Sequence, residues 1–218
     1  MHTKLSLTFA AMALSMAAFG QAPLPQDHSF QIRYAANLTA GDSVINLTNT
    51  GANGAPVNGP GFGGSVGNIC VNVYTFSPDE QLVSCCSCPI TPNGLVNLSA
   101  NQDLVNNTLT GVKPNSIVVK LLSTTTNTAG NCVNSAASAG SPGSPFQVVI
   151  GMLGWGTTIH AAPVAGTFAV TETSFIPATL NEQERVSITG RCTSIIGNGS
   201  GFGICRSCRA GGAGAARF

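Results

Sequence analysis

In residues 68–92, NICVNVYTFSPDEQLVSCCSCPITP, two apolar runs flank a turn. Ile69, Val71 and Val73 alternate with Cys70, Asn72 and Tyr74, the two-residue period of a half-buried strand. Ser77, Pro78, Asp79 and Glu80 break the run. Pro presets a turn dihedral, and Ser and Asp side chains bond the turn backbone. Leu82 and Val83 begin a return strand that runs into Cys85, Cys86, Ser87 and Cys88. The stretch predicts a β-hairpin carrying four of the chain's eight cysteines. Folding it about residues 78–80 sets Cys70 opposite residues 86–88, so Cys70 with Cys88 or Cys70 with Cys86 comes within disulfide reach.

An even set of eight cysteines implies a disulfide framework if the chain is exported, and its beginning says that it is. Met1, His2, Thr3 and Lys4 form a short basic start, and residues 5–19 are apolar and Ala-rich. Ala18 and Gly20 are small residues at the cleavage-determining positions, so a signal peptide of residues 1–20 is expected, cut after Gly20. The apolar run of 15 residues is shorter than the roughly 20 that a membrane-spanning helix needs. No later run is long enough to span. The expected location is therefore secreted, extracellular or periplasmic.

The remaining 198 residues, 21–218, suit one sizeable domain. Charged residues make up 8% of the chain, against about 25% in an ordinary domain. Without Lys4, eight cations face eight acids. So few cations build no basic patch, which argues against a nucleic-acid partner. Near-zero net charge favours self-association. Hydrophobic residues at 43% argue against disorder.

Working outward from the hairpin, residues 21–36 are a leader or a first strand, with Phe30, Ile32 and Tyr34 alternating along one apolar face. Such a strand adds either to its own sheet or to the sheet of another subunit, a route to self-association. The internal placement is the expected one, because an exposed apolar strand invites aggregation. Residues 43–49, 94–99, 115–123, 146–150, 157–160 and 166–175 read as further strands, with 115–123 central. Residues 101–105 are a helical turn or a strand edge. Two long Gly/Ser/Asn loops, 50–68 and 124–144, separate them, the second carrying Cys132. One helix is predicted. Asn181 caps it, and Glu184 completes a capping-box pattern. Ile188, Cys192, Ile195 and Ile196 follow as one apolar stripe, and Gly197, Asn198 and Gly199 stop it. A single β-rich domain over 37–208 with a flexible tail, 209–218, is the expected organisation. Many short strands and one late helix point to a mainly β, disulfide-stabilised antiparallel β-sandwich or open barrel.

The pattern NGxGFG occurs at 58–63 and again at 198–203, each time ahead of a cysteine (Cys70, Cys205). Neither copy lies between a strand and a helix, as a phosphate cradle requires.

The cysteines admit three readings. As structural bridges, Cys192 ties the helix to the sheet through Cys132, and Cys205 and Cys208 close on each other or reach Cys85 or Cys86. As thiolate metal ligands, Cys85, Cys86, Cys88, Cys205 and Cys208 offer Cys-x-x-Cys spacing but no nearby His. As a redox dithiol, Cys205 and Cys208 flank Arg206, yet they follow a helix and a Gly-rich loop instead of opening a helix. The oxidising compartment favours bridges.

No catalytic residue, cofactor or metal is assigned. His160 at a strand end, with Asp103 or Glu172, is the formal base of a hydrolase, but no Ser sits in a nucleophile elbow. His28 lies in the leader. Asp79 and Glu80 read as turn residues. Lys120, inside an apolar run, reads as a sheet-edge guard against aggregation or, less simply, as half of an amide cross-link. Tyr74 and Trp155 belong either to the core or to a ligand surface.

The runs GFGGSVGNICVNVYTFSPDEQLVSCCSCPITPNGLVNLS, TLTGVKPNSIVVKLL and GNGSGFGICRSC resemble a group of Cys-containing secreted proteins of soil bacteria with no assigned activity. The resemblance covers most of the chain after residue 20. It implies a bacterial, exported, single-domain protein and no particular chemistry. The functional expectation is a secreted, non-enzymatic β-domain with a structural, surface-interaction or binding role, its partner unknown. A thiolate metal or redox protein is the alternative, and a secreted hydrolase the second alternative.

Overall fold

The structure is a computed structural model and describes residues 28–56, 65–133, 144–162 and 164–206. The predicted signal segment 1–20 with its cleavage point, residues 21–27 of the leader, Cys208 and the tail 209–218 lie outside the described residues.

The hairpin forms as strands β3 (Ile69–Phe76) and β4 (Leu82–Ile90). Its turn closes with Ser77 N–H donating to Gln81 O at 3.0 Å and Glu80 N–H to Ser77 O at 3.0 Å. Glu80 takes a left-handed conformation, φ 65°. Seven further strands complete two antiparallel sheets: β1 (Phe30–Ala35), β2 (Val44–Asn49), β5 (Leu95–Ser99), β6 (Ile117–Thr125), β7 (Met152–Ala161), β8 (Phe168–Ser174) and β9 (Ile176–Pro177). One sheet has the order β4-β3-β6-β1-β9, and the other β5-β2-β7-β8. The helix α1 is Glu182–Gly197. This is a mainly β sandwich with one C-terminal helix, held by disulfides.

The five-stranded sheet is the middle layer, and that corrects the half-buried reading of the hairpin. All eight residues of β3 are buried. Val71, Val73, Val119 and Leu121 face Ile45, Leu47, Leu98 and Met152 of the other sheet in one core. On the opposite face Phe30, Tyr74, Phe76 and Leu122 pack under Ile188, Cys192 and Ile195 of α1. A strand covered on both sides loses its apolar/polar alternation.

Strand β1 is internal, paired along all six residues with β6 and at Gln31 and Ile32 with β9. Its predicted apolar face is only partly right. Phe30 and Ile32 pack toward α1, but Tyr34 is 56% exposed. The alternate residues point between the sheets instead. There Gln31 Nε2 donates to Met152 O at 2.8 Å, and Gln31 Oε1 accepts from Gly154 N–H at 3.2 Å. One buried amide thus satisfies backbone groups across the sandwich.

Two further expectations are corrected. Residues 146–150 form only an isolated bridge, Val148 to Thr124, and the strand predicted at 157–160 is the end of the longer β7. Gly151 at φ 105° turns the chain between them. Lys120 lies in β6, between β3 and β1, not at an edge. Residues 100–104 form a single π turn, closed by Val105 N–H to Ala100 O at 2.9 Å.

Helix α1 starts as its cap predicts, with Asn181 Oδ1 accepting from Glu184 N–H at 2.8 Å. The Glu184 carboxylate reaches Lys120 Nζ, where the capping box had it reaching back to the cap.

Candidate functional site

The cysteines are placed by strand parity. Near the turn, Phe76 pairs with Leu82, a fold centred on Asp79. A bulge between Thr75 and Phe76 then shifts the register by one, so that Cys70 faces Pro89. A one-residue slip moves every side chain to the other face of the sheet. Cys70 and Cys85 therefore point away from the sandwich core, and Cys86 and Cys88 point into it. The expected pairing of Cys70 with Cys86 or Cys88 is overturned for this reason. Cys70 bonds Cys132, with Cα atoms 5.5 Å apart. Cys85 bonds Cys192 of α1 directly, at 5.9 Å, so Cys132 is not its link. Cys86 bonds Cys205, at 5.4 Å. Cys88 is disulfide-bonded as well, and no described cysteine is free.

Each bridge ties a different piece to the hairpin: the loop after β6, the helix, and the segment after the helix. Backbone bonds reinforce the last. Cys85 N–H donates to Gly203 O at 2.9 Å, and Leu109 N–H to Val83 O at 2.8 Å. The outer edge of β4 is thus occupied by residues 109 and 203–205. Among the described residues, no group of three or more His, Cys, Asp and Glu side chains is placed to hold a metal ion.

The residues of the hydrolase reading do not meet. His160 is exposed at the end of β7, its Nε2 2.8 Å from Thr171 Oγ1. Glu172 pairs with Thr157, which places it on the opposite face of the same sheet, where Oε1 accepts from Asn46 Nδ2 at 3.1 Å. Asp103 sits in the π turn and accepts from Ser99 N–H at 2.7 Å. Among the aromatics, Tyr74 is in the core under α1, and Trp155 is half-buried on the outer face of the four-stranded sheet.

Two grooves flank α1. The first, about 380 Å³, lies between the hairpin turn, β6 and the helix, and is lined by Phe76, Pro78, Glu80, Lys120, Glu184 and Arg191, among others. Lys120 Nζ stands 4.7 Å from the centre of the Phe76 ring and pairs with Glu184. The second, about 660 Å³, runs on the other side between Leu82, Leu109, Val186 and Ile195. Arg191 and Ser187 line both. These volumes suit a small ligand or a few side chains of a partner. Sequence reasoning missed this surface. Its signal was Val186, the one apolar residue of the helix off the buried stripe, left 52% exposed.

Within the helix, Arg185 Nε donates to Glu182 Oε2 at 3.0 Å, and that hydrogen bond holds the Glu182 carboxyl below the usual carboxylate range. Between the sheets, burial lowers the Arg33 guanidinium from its ordinary value, and the charge of Glu172 opposes the shift. No helix among the described residues is long and apolar enough to cross a membrane. No protein-family model, curated protein or solved structure matches the chain.

Proposed function

We propose that this chain works outside the cytoplasm as a non-enzymatic β-sandwich module with a structural or binding role, delivered there by its signal-like first 20 residues. The observation that supports this reading is the hairpin that carries the disulfides. A loop, a helix and a late segment are each stapled to it, an arrangement suited to a compartment that oxidises thiols. Bridged sulfurs are poor metal ligands, since the thiolate is the ligand form. The grooves beside α1 are the surface on which a binding role would act.

Expression in a bacterial host, with intact mass and thiol counting on the culture fluid and periplasm, tests it. The expected product begins at Gln21 or its pyroglutamate and has no free thiol and no stoichiometric zinc. Material that keeps Met1, stays inside the cell or carries metal on free cysteines overturns the reading. A broad esterase, peptidase and glycosidase screen with a His160→Ala control addresses catalysis. Turnover that disappears in the control restores the hydrolase.

A further inference from the structure

We propose that the outer edge of β8 is the contact surface for a second copy of this chain, paired antiparallel about a two-fold axis through Thr171. The proposal goes beyond the structural or binding role and does not depend on export.

The two sheets end in four strands: β4 and β9 in one, β5 and β8 in the other. Two of these ends are closed, and a third is capped at one end. β4 is covered by residues 109 and 203–205 and by the disulfide of Cys86 with Cys205. β9 has two residues, one of them Pro177. β5 has five, and the Ser99 N–H at its end is taken by Asp103 Oδ2. Short strands, proline and covered backbone are the ordinary protections of a sheet edge.

β8 has none of them. Its seven residues, FAVTETS, are all exposed and contain no Pro, Gly or Lys. Ala162 N–H donates to Thr167 O, and Phe175 N–H to Gly154 O. The odd-numbered residues therefore turn their backbone groups toward β7. Those of Phe168, Val170, Glu172 and Ser174 face outward, a row of donors and acceptors with no strand beside it among the described residues.

The occupant that fits is β8 itself. Centred on Thr171, the antiparallel register sets Phe168 opposite Ser174 and Val170 opposite Glu172, so each outward-facing residue meets another. It also avoids a direct pairing of Glu172 with Glu172, which like charges disfavour. The two Val170 side chains, each 61% exposed in one copy, become diagonal neighbours across the axis, as do the two Glu172 side chains, at the longer diagonal separation. Each end of the edge carries an exposed apolar residue. The chain passes from the far end of β8 through Phe175 into β9, where Ile176 is 70% exposed, and Phe168 at the near end is 47% exposed. A formal charge of +1 for the whole chain gives two copies little to repel. An interface of one patch with itself closes as a dimer.

Sedimentation equilibrium of the oxidised protein from micromolar to millimolar concentration is the test. The expected result is a monomer–dimer equilibrium that Val170→Lys and Val170→Pro each weaken at least about tenfold, since the lysine guards the edge and the proline removes an outward N–H. Thermal melts accompany both, and if Val170→Pro melts early, Val170→Lys decides. Thr171→Cys should form an inter-chain disulfide. Thr171 meets its own copy as a non-hydrogen-bonded pair, with Cα atoms about 4.5 Å apart. Ala169→Cys, which faces Thr173, should not. A protein that stays monomeric at every concentration overturns the proposal, as does a dimer indifferent to both Val170 variants. Cross-linking at Ala169 in place of Thr171, or at neither, overturns the register.

Discussion

Arg33 shows how one buried charge is held in this sandwich. It lies between the sheets, 6% exposed, and makes no ion pair with a carboxylate among the described residues. Nη1 donates to Thr173 O at 2.7 Å and to Thr173 Oγ1 at 2.6 Å, and Nη2 to Thr158 Oγ1 at 2.8 Å, while the guanidinium lies 5.9 Å from the Phe175 ring centre. Gly156 makes the room: a Cβ there would stand 2.7 Å from Arg33 Nε and 2.9 Å from Cδ. Gly156→Ala should therefore destabilise the protein by about 1–3 kcal/mol through overpacking. In an Arg33→Ala background most of that cost should vanish, a coupling on the order of 1 kcal/mol, measured by urea melts of the double-mutant cycle. Simple additivity would mean that the two residues do not share the space. Tyr74 makes a second prediction at this scale. Burial pushes its phenol well above the ordinary value of 10.0, with the charge of Arg185 opposing the shift. The unfolded chain then loses that proton before the folded one does. Stability from this group is fully present below pH 10 and falls as pH rises beyond it. Tyr74→Phe should flatten the alkaline limb of the stability curve. An equal fall in both proteins would assign the loss to other groups.

At the scale of the element, the sequence was legible where structure is local. The hairpin, its turn and the cap of α1 depend on residues within a few positions of one another, and all three form. Pairings were not legible, because they hang on parity. The turn centre at Asp79 was read correctly, but a single bulge beyond it exchanged the faces on which Cys70 and Cys88 lie. No local signal in Thr75 or Phe76 announces that bulge. The long-range role of Lys120 was hidden for a related reason. Its cost within a central strand is offset by Glu184 and the Phe76 ring, 64 residues ahead and 44 behind. The cap can be tested alone. Asn181→Ala should cost about 1 kcal/mol, and Asn181→Asp or Asn181→Ser should restore most of it, read as a shift in melting temperature. Because the Glu184 carboxylate is engaged by Lys120, Glu184→Gln should leave the cap intact. A loss as large as that of Asn181→Ala would show the side chain taking part in the cap after all.

At the scale of the whole molecule, the described disulfides tie the hairpin to three separate parts of the chain. Cys85 ties the middle sheet to the helix, Cys86 ties it to the chain that follows the helix, and Cys70 ties it to the loop after β6. The bridges span 62, 107 and 119 residues of sequence. Loops of that size, in the chain-entropy account, each remove about 4–5 kcal/mol of freedom from the unfolded state. The loops overlap in sequence, so the sum is a ceiling, yet it matches the roughly 5–15 kcal/mol of net stability that a whole domain possesses. The composition points the same way. A chain rich in Gly has more backbone entropy to lose on folding than an ordinary one, and 26 of the 218 residues are Gly. Complete reduction should therefore unfold the protein near room temperature, with loss of the near-ultraviolet circular dichroism of buried Tyr74 and half-buried Trp155. Removing the helix staple alone, by Cys85→Ala with Cys192→Ala, should leave a cooperative melt at a lower temperature, because both sheets keep their ladders. A fully reduced protein, confirmed by thiol count, that still melts cooperatively would show that the two hydrophobic cores suffice. The bridges would then guard the edges of the fold without deciding whether it forms.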